Sequence, residues 1–237
     1  MQHRKVLFVL TGHDRLGKAG DTSADKTGFH LAEAARPWDV LSEAGYTVDF
    51  ATPAGGAAPI DPSSRDLDDA DNAKFMRDER VKKQLEDTPA LVKLDLSQYA
   101  ALYFPGGHGT MWDLPDNDDV QRAAREMYED GKVVAAVCHG PAALVNVKLS
   151  DDRWLVDGKT LSVFTDAEEK AVEKDSIVPF LLGSKLAERG AKLAEADNFE
   201  KSVSVDGRLV TGQNPASARG VGEAIRDLLK EQRAKAA

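Results

Sequence analysis

Apolar residues gather in short blocks separated by polar, glycine-rich stretches. Lys5–Leu10 is the first block, and Thr11, Gly12, His13 and Asp14 close it. A short, partly β-branched apolar run that ends in loop chemistry predicts a buried strand. Residues 14–28 carry Gly17, Gly20 and Gly28 and read as a long excursion. From Phe29 to Ala44 the spacing of Leu31, Ala34, Ala35, Trp38 and Leu41 predicts an amphipathic helix, kinked at Pro37 and stopped by Gly45. Thr47–Thr52 is a second strand.

Residues 53–98 change character. Pro53, Gly55, Gly56, Pro59, Pro62 and the run Asp66–Asp71 are loop chemistry, and Phe75–Leu85 predicts a polar surface helix. The block has too few apolar residues for a core of its own, so it reads as a cap-like insertion within one domain spanning 1–237. Regular alternation then resumes. Ala100–Phe104 is a strand, Asp116–Asp130 a helix and Val133–Val137 a fully apolar strand that runs into Cys138-His139-Gly140-Pro141 and a further helix. Thr160–Phe164 predicts a strand and Ile177–Glu188 a helix. Ser202–Val205 and Leu209–Thr211 flank Asp206-Gly207, a hairpin signal, before a terminal amphipathic helix over Pro215–Ala234. Strands alternating with helices imply a mostly parallel sheet with helices on both faces. In such sheets chemistry gathers beyond the carboxyl ends of the strands, where Thr11–Asp14, Pro105–Gly109 and Cys138–Pro141 fall.

Composition narrows the classes. The 237 residues carry a net charge of −9, which argues against a nucleic-acid groove, since phosphate contacts need clustered Lys and Arg. No apolar run approaches the ~18–20 residues of a membrane span, and the N-terminal run stops too soon for a secretory signal. Cys138 is the single cysteine, so neither an intramolecular disulfide nor a cysteine-rich zinc site can form. That pattern suits a reducing compartment, and a cytoplasmic location is expected.

Cys138 stands where a buried strand hands over to a predicted helix start. Unpaired N–H groups and the positive end of the helix dipole there favour a thiolate and can hold an oxyanion. An ionised, accessible, nucleophilic sulfur is therefore expected.

Val137-Cys138-His139-Gly140-Pro141, with Tyr103-Phe104-Pro105-Gly106-Gly107-His108-Gly109 and Glu33, resembles the ThiJ/PfpI superfamily. The likeness runs from Lys5 to the last helix. It is greatest to the branch of heat-shock-type chaperones and glutathione-independent glyoxalases (glyoxalase III). The resemblance implies a class I glutamine amidotransferase-like fold: a flavodoxin-like three-layer α/β sandwich, with residues 53–98 as the variable cap. It implies that Glu33 is a buried carboxyl bonded to the cysteine, and that His139 is oriented by a downstream acid. Glu169 matches best, with Glu168 and Asp166 as alternatives. Gly106 or Gly107, with the N–H of His139, would form an oxyanion hole, and His108 would contact substrate or pack the loop. The five histidines include none after His139, so amidotransferase chemistry, which places its histidine far downstream of the cysteine, is excluded.

The expected activity is cofactor-free hydration of a small 2-oxoaldehyde such as methylglyoxal to a 2-hydroxy acid through a Cys138 hemithioacetal. Alternatives are a holdase chaperone acting on unfolded client proteins, a protein deglycase or cysteine peptidase, and a redox sensor. No metal is expected, although His30, Glu33 and His108 offer a zinc-type donor set. The resemblance also implies a homodimer.

Overall fold

A computed structural model describes residues 4–235. Its main sheet is built from β1 (Lys5–Val9), β2 (Thr47–Ala51), β3 (Tyr99–Phe104), β4 (Val133–Val137), β7 (Val203–Asp206) and β8 (Leu209–Gly212), in the order β2-β1-β3-β4-β8-β7. Every pairing is parallel except β7 with β8, the hairpin that turns at Asp206-Gly207. Strand alternation sorts the core into two layers. Val6 and Phe8 of β1, Ala101 and Tyr103 of β3, and Val133, Ala135 and Val137 of β4 pack on one face. There they meet α1 (Leu31–Glu43) and α8 (Ala218–Lys235) through Leu31, Ala34, Trp38, Val221 and Ile225. Leu7, Leu102, Phe104, Val134 and Ala136 point to the other face, against α5 (Asp118–Glu129) and α7 (Leu182–Glu188). A strand buried on both faces must be apolar at successive positions, which is why β1, β3 and β4 read as continuous runs. The architecture is the flavodoxin-like three-layer sandwich.

α1 runs on through the buried Pro37, as the spacing predicts. Several other elements depart from the sequence pattern. The stretch expected as one helix over Phe75–Leu85 is two, α2 (Ala70–Arg77) and α3 (Glu79–Glu86). Asp78, extended at their junction, accepts from the N–H groups of Arg80 and Val81 and so starts a new helix. Phe75, Val81 and Leu85 join the core, and Gln84 accepts from the N–H of Phe50 on the edge strand β2. Residues 53–98 thus cover that edge. The predicted strand over Thr160–Phe164 is two residues long: β5 (Thr160–Leu161) pairs with β6 (Lys192–Leu193) in a small second sheet. Beyond it Ser162 N–H bonds the Thr211 hydroxyl and Phe164 N–H bonds the Cys138 carbonyl, drawing the chain out of strand geometry and onto the end of β4. The helix expected over Ile177–Glu188 begins only at Leu182. After Cys138 there is no α-helix but a short 3-10 turn, Gly140–Leu144. The helix α6 (Asp166–Ala171) completes the elements around the site; α4 is the single turn Thr110–Asp113. None of the helices among the described residues is long and apolar enough to cross a membrane.

The topology sets where a crevice opens. β1 leads into α1 on one face, and β3 leads into α5 on the other, so the loops leaving these neighbouring strands diverge. The loop after β3, the turn after β4 and the N-terminus of α1 meet there.

Candidate active site

Cys138 is the first residue after β4. Its backbone is left-handed, with φ 59°, a strained setting for a residue with a Cβ. The bend is held from both sides: Cys138 N–H donates to the Gly212 carbonyl at 2.9 Å, and its own carbonyl accepts from Phe164 N–H at 3.0 Å. It turns the sulfur back toward the next side chain, placing Sγ 3.3 Å from His139 Nδ1.

The acid for His139 is Glu169. Helix α6 starts with a capping box in which Thr165 and Glu168 satisfy each other's backbone N–H groups, and this aims the following residue inward. Glu169 Oε2 lies 2.6 Å from His139 Nε2, and its Oε1 lies 2.8 Å from His108 Nε2. The other two acids are engaged elsewhere. Glu168 accepts from the side chain of Asn214 and the N–H of Phe199, and Asp166 accepts from the Ser184 hydroxyl. Burial would raise the Glu169 pKa, but the hydrogen bonds donated by His108 and His139 outweigh it and hold the carboxyl at about 2. An ionised carboxylate only accepts, so both imidazoles carry their proton on Nε2. That leaves His139 Nδ1 as the acceptor facing the sulfur.

Glu33 approaches from α1 and is fully buried. The loop after β3 is laid directly on α1: His30 N–H donates to the Gly106 carbonyl, and Gly106 N–H donates to Glu33 Oε2 at 2.8 Å. Only glycine fits at position 106, because a Cβ would lie 2.6 Å from the Val137 carbonyl oxygen and 2.7 Å from both Glu33 Oε2 and His139 N. Burial lifts the Glu33 carboxyl to about 8, against the opposing pull of hydrogen bonds from Cys138 and Gly106 N–H. Burial also pushes the Cys138 thiol well above its ordinary range, and the negative charge of Glu33 adds to that. The expectation of a resting thiolate created by a helix dipole is thereby corrected. The short 3-10 turn supplies little dipole, and desolvation dominates. Thiol and carboxyl are coupled, and both keep their protons at neutral pH.

Two further expectations change. The N–H of Gly106 is taken by Glu33, so it is not a free oxyanion donor. Gly107, at φ 104°, lines the cavity, and its N–H has no partner among the described residues. The donor set His30, Glu33 and His108 does not converge, because the His108 ring is turned to Glu169. Among the described residues the one group of three donor atoms within 4.8 Å of each other is His108, His139 and Glu169.

A cavity of about 280 Å³ opens over the sulfur. His30, Gly107, His108 and His139 contribute polar lining, while Phe164, Val172 and Phe199 make apolar walls. The Phe164 ring lies 4.4 Å from that of His139, and the His108 ring 4.1 Å from it. From residues 53–98 only Asp61 and Ser63 reach this cavity, so its cover comes as much from the segment around Phe164–Phe199 as from the insertion. Phe164 had a sequence signal, since it directly precedes the Thr165–Glu169 cluster. Val172 and Phe199 had none.

Fold and site together define a cysteine-centred member of an established class. Residues 24–227 match the DJ-1/PfpI family, and the chain belongs to it. It is 34% identical to the glutathione-independent glyoxalase HSP31 of Saccharomyces cerevisiae, over 97% of this chain and all of that protein. The solved structure of glyoxalase III from Candida albicans superposes with a TM-score of 0.86 at 30% identity, covering 95% of this chain and 98% of the other. Rapid Encystment Protein 24 kDa from Francisella tularensis superposes with a TM-score of 0.90 at 36% identity and the same coverage.

Proposed function

We propose that this protein is a glutathione-independent glyoxalase, converting a small 2-oxoaldehyde such as methylglyoxal and water to the 2-hydroxy acid, with Cys138 as the nucleophile. The observation that carries the reading is a single buried thiol set 3.3 Å from His139, whose ring is held by Glu169, and against the fully buried Glu33 carboxyl.

The chemistry needs a sulfur nucleophile and one proton that can be moved twice. Sulfur attacks the aldehyde carbon, a C–S bond forms and the carbonyl electron pair goes to oxygen. The thiol proton passes to His139 Nδ1, and that oxygen receives the Glu33 proton, which leaves Glu33 as a carboxylate. Glu33 then takes the hydrogen from C1 as a proton, and the electrons form an enediolate with the negative charge on the neighbouring oxygen. Returning that proton to C2, while the C1 hydroxyl proton passes to the C2 oxygen, gives a thioester isomeric with the hemithioacetal. Water releases the 2-hydroxy acid and regenerates the thiol. Covalent attachment divides one difficult hydration into smaller steps, and a positioned acid–base group contributes about 10²–10⁴ in rate. His139, held by ionised Glu169, accepts the thiol proton or stabilises the sulfur as it leaves. The Gly107 N–H stands ready for the negative oxygen of the enediolate. The apolar walls suit the alkyl end of the aldehyde. Cytoplasmic location and homodimer assembly belong to the same reading through family membership.

The test is lactate formation from methylglyoxal by purified protein without glutathione. Cys138→Ala is expected to abolish it, and an unchanged rate in that variant overturns the proposal.

A further inference from the structure

The cavity over the sulfur is larger than methylglyoxal needs. At about 280 Å³ and ~30 Å³ per water, it has room for about nine water-sized groups. Methylglyoxal has five non-hydrogen atoms. One cation lines the space: Lys174 is the single Lys or Arg among the lining residues. It is half-buried, and its ammonium makes no ion pair or hydrogen bond among the described residues. Its backbone is fixed. α6 ends in a Schellman turn, in which Glu173 N–H donates to the Lys170 carbonyl at 3.0 Å and Lys174 N–H to the Glu169 carbonyl at 3.1 Å. Glu173 stands at φ 57° in a position that usually takes glycine. The Lys174 carbonyl in turn accepts from the N–H groups of Ile177 and Val178. Glu169 thus holds His108 and His139 with its carboxylate and anchors Lys174 with its carbonyl.

The other ionisable groups around the cavity are spent or neutral. Asp61 Oδ1 accepts from the N–H and hydroxyl of Ser63, and its Oδ2 accepts from the Thr27 hydroxyl. Glu169 is taken by the two imidazoles. Burial holds His30 and His108 at about 4, so neither ring is cationic at neutral pH. The Lys174 ammonium adds to burial in lowering His108, so its field reaches the ring packed against His139. Apolar walls and one unspent ammonium are complementary to a short methylene chain that ends in a single negative charge. A phosphate would bring a second charge, and no second lysine or arginine lines the cavity.

Resting on the glyoxalase reading, we infer that the preferred substrate is a 2-oxoaldehyde with a carboxylate at the far end of a short chain, and that Lys174 selects it by pairing with that carboxylate. The carboxylate lies away from the reacting carbons, so the pairing is present equally in the bound substrate and in the transition state. It lowers KM and leaves kcat little changed. 4,5-Dioxopentanoate has the required form, and its nine non-hydrogen atoms are about as many as the cavity holds. The hydration already described turns its aldehyde into a carboxyl and its ketone into a hydroxyl, giving 2-hydroxyglutarate.

The experiment measures hydroxy-acid formation from 4,5-dioxopentanoate and from its methyl ester, which keeps the chain and masks the charge. The ratio of the two kcat/KM values is taken within each protein, so that a general loss of fold or chemistry cancels. Wild type is expected to favour the anion about 10-fold or more, the range of a hydrogen bond between charged groups. The ratio is expected to fall to about 1 in Lys174→Met, to drop below that in Lys174→Glu and to survive in Lys174→Arg, with the change carried by KM. A wild-type ratio of about 1 or less overturns the inference, as does an unchanged ratio in Lys174→Met or a loss carried by kcat. In each of those cases lactate from methylglyoxal leaves the glyoxalase reading intact. Should wild type make no hydroxy acid from any of the three aldehydes, that reading fails and this inference falls with it.

Discussion

Replacing Glu33 by Gln tests the proton at the centre of the site through stability as well as rate. Glutamine keeps the volume of the side chain and an oxygen for Gly106 N–H, which now bonds Glu33 Oε2 at 2.8 Å. It removes only the titration. In the fold the carboxyl is lifted from an ordinary 4.5 to about 8 by burial. Below 4.5 it is protonated whether the chain is folded or not, and its contribution to stability is fully present. Between 4.5 and about 8 the unfolded chain ionises while the folded chain keeps its proton, so stability falls as pH rises; above about 8 the loss is complete. At about 1.4 kcal/mol per pH unit, the whole interval amounts to on the order of 5 kcal/mol. Urea unfolding of wild type and variant from about pH 5 to about pH 8 isolates this group, because other titrations cancel in the difference. Relative to wild type, the variant is expected to gain about 4 kcal/mol across that range. Its kcat for methylglyoxal is expected to fall by about 10²–10⁴ at every pH. A difference in stability that stays flat to within about 1 kcal/mol refutes the claim that Glu33 is held protonated.

Alkylation of native Cys138 by iodoacetamide is expected to be slow at neutral pH and to accelerate above the ordinary thiol range, since burial and Glu33 raise this thiol; a rate that has already levelled off at pH 7 contradicts that assignment. Glu169→Gln removes the acceptor shared by His108 and His139, and kcat is expected to fall about 10²-fold in the lactate assay while the protein stays folded at pH 7. Because the folded Glu169 is held at about 2, its stabilisation is present above 4.5 and lost as pH falls toward 2, so acid titration followed by circular dichroism should be shallower in this variant over that interval. Gly106→Ala sets a Cβ 2.6 Å from a backbone carbonyl and is expected to cost roughly 1–3 kcal/mol in denaturant unfolding; an unchanged midpoint would show that the loop is not pressed on α1 as described.

Much of the architecture was legible locally. β1, β3 and β4 are buried on both faces, so their apolar runs were unmistakable, and α5 announced itself by Val120, Ala123, Ala124 and Met127 on one stripe. Asp206-Gly207 fixed the hairpin, and the junction of Val137 with Cys138-His139-Gly140-Pro141 located the sulfur. The failures have a common cause. A single side-chain cap at Asp78 divides a helix that periodicity alone would continue, and long-range bonds to Thr211 and Cys138 pull Ser162–Phe164 out of a strand that propensity favours. Choosing Glu169 over Asp166 and Glu168 rested on family likeness. In space the choice follows from the capping box, which spends Glu168 on the backbone and directs its neighbour to His139.

Sequence by itself determined the periodic elements, the identity of the nucleophile and the residue types available around it, because these depend on covalent neighbours. Only the tertiary structure decided that Glu33 keeps a proton, that Gly106 spends its N–H on that carboxyl and that His108 joins His139 on Glu169. These properties arise between segments brought together by strand order, and their energetics come from the removal of water, which no local pattern of residues encodes.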